Sequence, residues 1–124
     1  MPKTVIDCGN CSPDFGSIRQ MIESNFDANV IQTHGAEDTL QLLRQRDDVA
    51  LVTVNRKLDR DYTDGLDVIR QIKADPQLAK VPVMLVTNYQ EHQQAAVAEG
   101  AVMGFGKLSL RDPETQQRLH EVLG

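Results

Sequence analysis

Short apolar runs alternate with longer amphipathic segments along the whole chain. Thr4-Val5-Ile6 is β-branched, ends at Asp7 and predicts a buried first strand. Cys8-Gly9-Asn10-Cys11 reads as a turn, after which Ser12-Pro13-Asp14 supplies an N-cap, a proline at the first helical position and a first-turn acid. Phe15, Ile18, Met21 or Ile22, and Phe26 then recur at helical spacing, a first helix of about three turns. A second strand from Ala28 to Thr33 is centred on Val30-Ile31 and broken by Gly35. Ala36, Leu40 and Leu43 line the inner face of a second helix, with Arg44 and Arg46 near its end, where cations suit the helix dipole. Val49 to Val54 is a third strand, almost wholly apolar, that stops at Asn55. Arg56 to Thr63 is a charged loop with neither helical nor strand period.

Asp64-Gly65 opens a third helix with Leu66, Ile69 and Ile72 inside, and Asp75-Pro76 closes it. Val81 to Val86 predicts a fourth strand ending on Thr87, with Pro82 at its beginning, where no ladder donor is missed. Gln90 to Glu99 is a small-residue helix, Ala101 to Phe105 a fifth strand running out to Lys107, and Asp112-Pro113 begins a last helix that turns Leu119, Val122 and Leu123 inward. Five strands alternating with five helices imply an α/β architecture: a parallel sheet with right-handed crossovers and helices on both faces. Chemistry then belongs at the carboxyl ends of the strands, which here are Asp7, Asn55, Thr87 and Lys107.

Composition narrows the function classes. A length of 124 residues suits a single domain spanning 1–124. The formal charge of -5 and the lack of a clustered basic face argue against nucleic acid or a bare membrane as partner. No apolar run approaches the roughly eighteen residues of a membrane span, and Met1-Pro2-Lys3-Thr4 leads straight into a strand, so a cytoplasmic protein is expected. Cys8 and Cys11 lie too close to staple a fold, which agrees with that compartment.

Asp7, Asn55, Thr87 and Lys107, with Asp64-Gly65-Leu66 opening the third helix and Gly100-Ala101 before the last lysine, form a set that resembles the receiver domain of two-component response regulators, the CheY-like family. The resemblance covers essentially the whole chain. It implies a flavodoxin-like (βα)5 fold, a doubly wound parallel five-stranded sheet of order 2-1-3-4-5. It also implies a phosphoryl group taken from a histidine kinase by an aspartate ending the third strand, a magnesium ion held by two acids after the first strand, and a Thr and a Lys that bond the phosphoryl oxygens. Thr87 and Lys107 match that pattern.

Other positions depart from it. The phosphoacceptor position is Asn55, and a neutral carboxamide is a poor nucleophile that cannot give an acyl phosphate. Asp7 is followed by Cys8 rather than by a second acid, and each charge missing about 4 Å from a cation forfeits roughly 4 kcal/mol at an effective dielectric near 20. The expectation is therefore no magnesium, or a weak site at Asp7 that Asp14 helps to complete. The loop after Asn55 is longer than the family's, and its Arg56, Lys57 and Arg60 are placed to fold over Asp7 in place of a metal. Lys107 is expected to neutralise Asp7. The family's switch aromatic, three places before the lysine, is Gly104, with Phe105 one place later.

The leading reading is an atypical receiver, a pseudo-receiver in phosphorelay signalling rather than an enzyme. It would present its fourth helix, fifth strand and fifth helix to a histidine kinase or an output protein, as a monomer or weak homodimer. The pocket would comprise Asp7, Cys8, Asp14, Thr87 and Lys107 around Asn55. One alternative keeps phosphorylation on a loop acid, Asp59 or Asp61. The other is a redox module in which Cys8 and Cys11, before a helix N-terminus, form a dithiol of lowered pKa. A thioredoxin would need late antiparallel strands, zinc more ligands, and a low-molecular-weight phosphatase an arginine where Asp14 stands. His34, His92 and His120 lack ligand spacing and read as solvated surface.

Overall fold

The structure is a computed structural model, and it describes residues 2–124. Five strands, β1 (Lys3–Cys8), β2 (Ala28–Thr33), β3 (Val49–Asn55), β4 (Val83–Val86) and β5 (Val102–Phe105), alternate with five helices. These are α1 (Ser12–Asn25), α2 (Ala36–Gln45), α3 (Gly65–Ala74), α4 (Gln90–Ala98) and α5 (Pro113–Leu123). The sheet runs β2-β1-β3-β4-β5 with every neighbouring pair parallel, which is the flavodoxin-like order. Among the described residues no helix is long and apolar enough to cross a membrane.

Alternation along the strands builds two cores, one on each face. Val5, Leu51, Met84, Val86 and Phe105 pack with Ile18, Met21 and Ile22 of α1 and Leu119 and Leu123 of α5. Ile6, Cys8, Val52, Val54 and Leu85 pack on the other face with Leu43 of α2, the Val68, Ile69 and Ile72 stripe of α3 and Ala96 of α4. Phe105 is thus a core side chain on the α1–α5 face.

Two helix starts are held by side-chain hydrogen bonds. Asp64 caps α3, its carboxylate accepting from Leu66 N–H at 2.9 Å. Asp38 on α2 reaches back to the N–H groups of His34 and Gly35, at 2.9 Å each. No side chain caps the first turn of α1, α4 or α5, and at α1 Cys11 rather than Ser12 takes the cap position. Its thiol lies 3.2 Å from Asp14 Oδ2 instead.

Candidate functional site

At the carboxyl edge of the sheet, Asp7 shares the α1–α5 face with Thr53, its register partner on β3. Both are fully buried. Oδ1 of Asp7 accepts from Thr53 Oγ1 at 2.7 Å and from Asn10 Nδ2 at 2.8 Å. The other carboxylate oxygen and Asn10 Oδ1 are also buried, and neither has a hydrogen-bond partner. Burial pushes the Asp7 carboxyl up to about 6, against the pull of the Thr53 and Asn10 hydrogen bonds and the Lys107 charge.

Lys107 does not pair with Asp7 as the sequence suggested. Its ammonium donates to Asp14 Oδ2 at 2.8 Å, because α1 carries Asp14 to the rim while Asp7 lies beneath it. That hydrogen bond, more than the coulombic attraction, holds the Asp14 carboxyl below the usual range.

The loop after β3 is ordered by its own hydrogen bonds. Leu58 N–H bonds Thr63 O at 2.9 Å, Tyr62 N–H bonds Leu58 O at 2.9 Å, and Lys57 bridges Asp64 in antiparallel fashion. The result is a small hairpin whose Tyr62 sits at φ 60, in the left-handed region, with its side chain exposed. Leu58, read from sequence as part of a polar loop, is a core residue. It lies against Gly9, where φ is +80 and any Cβ would run into the Leu58 side chain.

Asn55 joins this hairpin to the turn after β1. Its Nδ2 donates to Lys57 O at 2.7 Å and to Gly9 O at 3.2 Å, and Gly9 O also accepts from Asp59 N–H at 3.0 Å. The loop cations do not cover Asp7. Arg56 Nη1 lies 3.4 Å from Asp64 Oδ1, off the hydrogen-bond direction, and its buried Nε and Nη1 make no hydrogen bond. Lys57 and Arg60 are exposed. Asp59 and Asp61 are exposed on the hairpin, where Asp61 accepts from Thr63 N–H at 3.0 Å and borders a groove against α2.

On the β4–β5 side Thr87, Gln93 and Gly104 are each held by protein partners. Thr87 N–H bonds Phe105 O at 3.0 Å, and Thr87 Oγ1 meets His92 Nδ1 at 3.1 Å and Tyr89 N–H at 3.3 Å. The Tyr89 ring stands edge-on to His92, centroids 5.3 Å apart. Gln93, buried, inserts its amide where the β4–β5 register slips. It donates to Leu85 O at 2.9 Å and accepts from Gly104 N–H at 2.8 Å, standing in for a peptide group between the strands. Gly104 allows this approach, since a Cβ there would collide with Leu85 O. Arg118 donates to Gly104 O from outside at 2.7 Å.

The structure brings Asp7, Asp14, Asn55, Thr87 and Lys107 to one edge of the sheet with pairings other than those expected, and it places Cys8, expected in the same pocket, in the core of the opposite face. Gln93 and His92 were missed. A glutamine in a small-residue helix carries no signal of a buried inter-strand bond, whereas the glycine at 104 was a legible hint. His92 is half-buried on Thr87, and His34 is half-buried with its Nδ1 shielded and unpartnered, so the surface reading holds for His120 alone.

The dithiol expectation also needs correction. Cys8 points into the α2–α3 core, its thiol 3.6 Å from Gly35 O, and burial pushes that thiol up to about 11 rather than down. Cys11 sits at the other end of the turn beside Asp14.

The family resemblance implies magnesium, and the donor set does not fit it. Magnesium asks for near-octahedral hard oxygens, with carboxylates among them. Asp7 Oδ1 is already occupied by two hydrogen-bond donors and Asp14 Oδ2 by Lys107 and Cys11, which leaves Asp7 Oδ2 and Asn10 Oδ1 as the buried unpartnered oxygens, with a single carboxylate between them. Asn55 turns a nitrogen, not an oxygen, toward the two loop carbonyls.

No protein-family model matches the sequence, and no curated protein matches it. Solved structures do. The signal receiver domain of an HD domain-containing protein from Pseudomonas fluorescens Pf-5 superposes with a TM-score of 0.78 at 20% identity, over 99% of this chain and 95% of that one. A CheY-like response regulator receiver domain from Methylobacillus flagellatus gives 0.74 at 13% identity over 100% of both chains. The manganese-bound form of response regulator Rcp1 gives 0.67 at 17% identity, over 99% of this chain and 91% of that one. The fold of this chain is that of a CheY-like receiver domain.

Proposed function

We propose that this chain is an atypical receiver in two-component signalling, working as a protein-interaction module without a phosphoacceptor at the usual position. The observation that carries this reading is Asn55, the last residue of β3. No carboxylate stands there, and its amide hydrogens are committed to Lys57 O and Gly9 O. Two further observations support it. The Thr87 hydroxyl is engaged by His92, and the Lys107 ammonium by Asp14, so the two groups that would bond phosphoryl oxygens are held by protein partners.

Communication by contact requires a surface, and the α4–β5–α5 side offers one. Val97 and Val102 are exposed there, and Val102 borders a groove of about 420 Å³ in which Met84, Met103 and Val122 stand beside Arg118 and Glu121. Tyr89, just before α4, and Leu108, just after β5, are exposed as well. Exposed apolar side chains gathered on one side mark a contact surface, and the occupant we propose is a signalling protein, a histidine kinase or an output protein. The cytoplasm is the corresponding compartment.

Intact-mass measurement after incubation with acetyl phosphate and magnesium tests the reading. The expected spectrum shows no phosphoryl adduct. An adduct cleaved by alkali and by hydroxylamine, as an acyl phosphate is, and mapped to Asp59 or Asp61 would instead establish phosphorylation from the loop.

A further inference from the structure

Two carbonyl oxygens from segments far apart in sequence, Gly9 O in the β1–α1 turn and Lys57 O in the hairpin, converge on a single atom, Nδ2 of Asn55. Carbonyl oxygens repel one another, so such a convergence needs something electropositive between them. A cation is one solution and an amide NH2, with two N–H groups directed at two acceptors, is another. We infer that the Asn55 carboxamide takes the structural place of a cation between these two carbonyls, tethering the β1–α1 turn to the β3–α3 hairpin without magnesium.

The surrounding contacts agree. Asp59 N–H adds a second bond to Gly9 O, and Leu58 packs beneath Gly9, so the turn and the hairpin meet through three adjoining contacts, of which the Asn55 amide is the one that reaches both carbonyls. The tether gives Asn55 a structural reason to be an amide. An aspartate there has no hydrogen to donate, and its carboxylate would face two carbonyl oxygens at the distances that Nδ2 now bridges. Asn55→Asp on its own would therefore break the tether, and a supplied cation would be needed to restore it. The inference stands on pocket geometry and not on the signalling reading, so an unsuccessful partner search leaves it intact.

The test is thermal unfolding by circular dichroism, in EDTA and in millimolar MgCl2, combined with amide hydrogen exchange, on wild type, Asn55→Asp and Asn55→Ala. Wild type should show the same Tm in both buffers. Asn55→Asp should lose roughly 5 °C or more in EDTA and recover part of it with magnesium. Exchange in residues 57–64 should quicken in both variants while β1 and β3 stay protected. A magnesium-dependent rise in the wild-type Tm would overturn the inference, as would unchanged exchange at 57–64 in both variants. If Asn55→Asp does not fold in EDTA, Asn55→Ala carries the test, because it removes the donors without adding charge.

Discussion

The two halves of the sheet's carboxyl edge are built on opposite terms. On the β4–β5 side the Gln93 amide satisfies Leu85 O and Gly104 N–H together, Arg118 takes Gly104 O, and Thr87 is held by His92. On the β1–β3 side a carboxylate is buried with one oxygen unpartnered, next to an equally orphaned Asn10 oxygen. The first arrangement is a stitched seam, and the second keeps an unresolved charge. The contrast shows where polar groups at one sheet edge are fully matched and where a cost persists, since an unpaired buried polar atom is destabilising by about 1–3 kcal/mol.

Breaking the seam should produce the largest effect. Gln93→Leu keeps the volume but leaves Gly104 N–H and Leu85 O without partners, and a loss of about 3 kcal/mol is expected in urea unfolding. A loss under about 1 kcal/mol would mean that the strands close their ladder without the side chain, and the contrast between the halves would fail.

Removing the charge from the other half should do the opposite. Asp7 binds its proton more tightly folded than unfolded, so its contribution is most favourable below about pH 4 and is lost as pH rises toward about 6. The shift from 3.8 to about 6 corresponds to about 3 kcal/mol at neutral pH. Asp7→Asn should therefore raise stability at pH 7 by up to about that amount and flatten the fall between pH 4 and 6, while placing an amide donor among orphaned acceptors. Unfolding curves across that range check both. A less stable variant at pH 7 would show that the ionised carboxylate has a partner of its own.

Leu58→Ala separates the hairpin's packing from its tether. Removing this buried side chain beneath Gly9 should cost about 2–3 kcal/mol by denaturant unfolding, without altering the pH profile that Asp7 imposes. The smallest effect belongs to the rim. Lys107→Met removes a pair whose members are about a third exposed, and under about 1 kcal/mol should be lost. A much larger loss would place Lys107 among the buried charges of the Asp7 half.

The fold was legible because hydrophobic periodicity is a local property. Val49–Val54, the α3 stripe of Leu66, Ile69 and Ile72, and the proline at the start of β4 each declare an element within a few residues. Boundaries moved little: β4 begins at Val83 rather than Val81, and β5 at Val102 rather than Ala101. Leu58 was the exception, a single apolar residue in a charged loop whose burial comes from folding back under Gly9.

The sequence by itself determined the alternation of strands and helices, and it determined which residues end the strands: an acid, an amide, a hydroxyl and a cation. Only the tertiary structure decided how they pair. Lys107 bonds an acid 93 positions away on α1 rather than the buried Asp7, and the Asn55 amide joins two loops rather than the edge residues. The reason is range and tolerance. Burying an apolar stripe needs only the right face, whereas a hydrogen bond needs donor and acceptor placed within a few tenths of an ångström, and that placement is set by how distant segments pack.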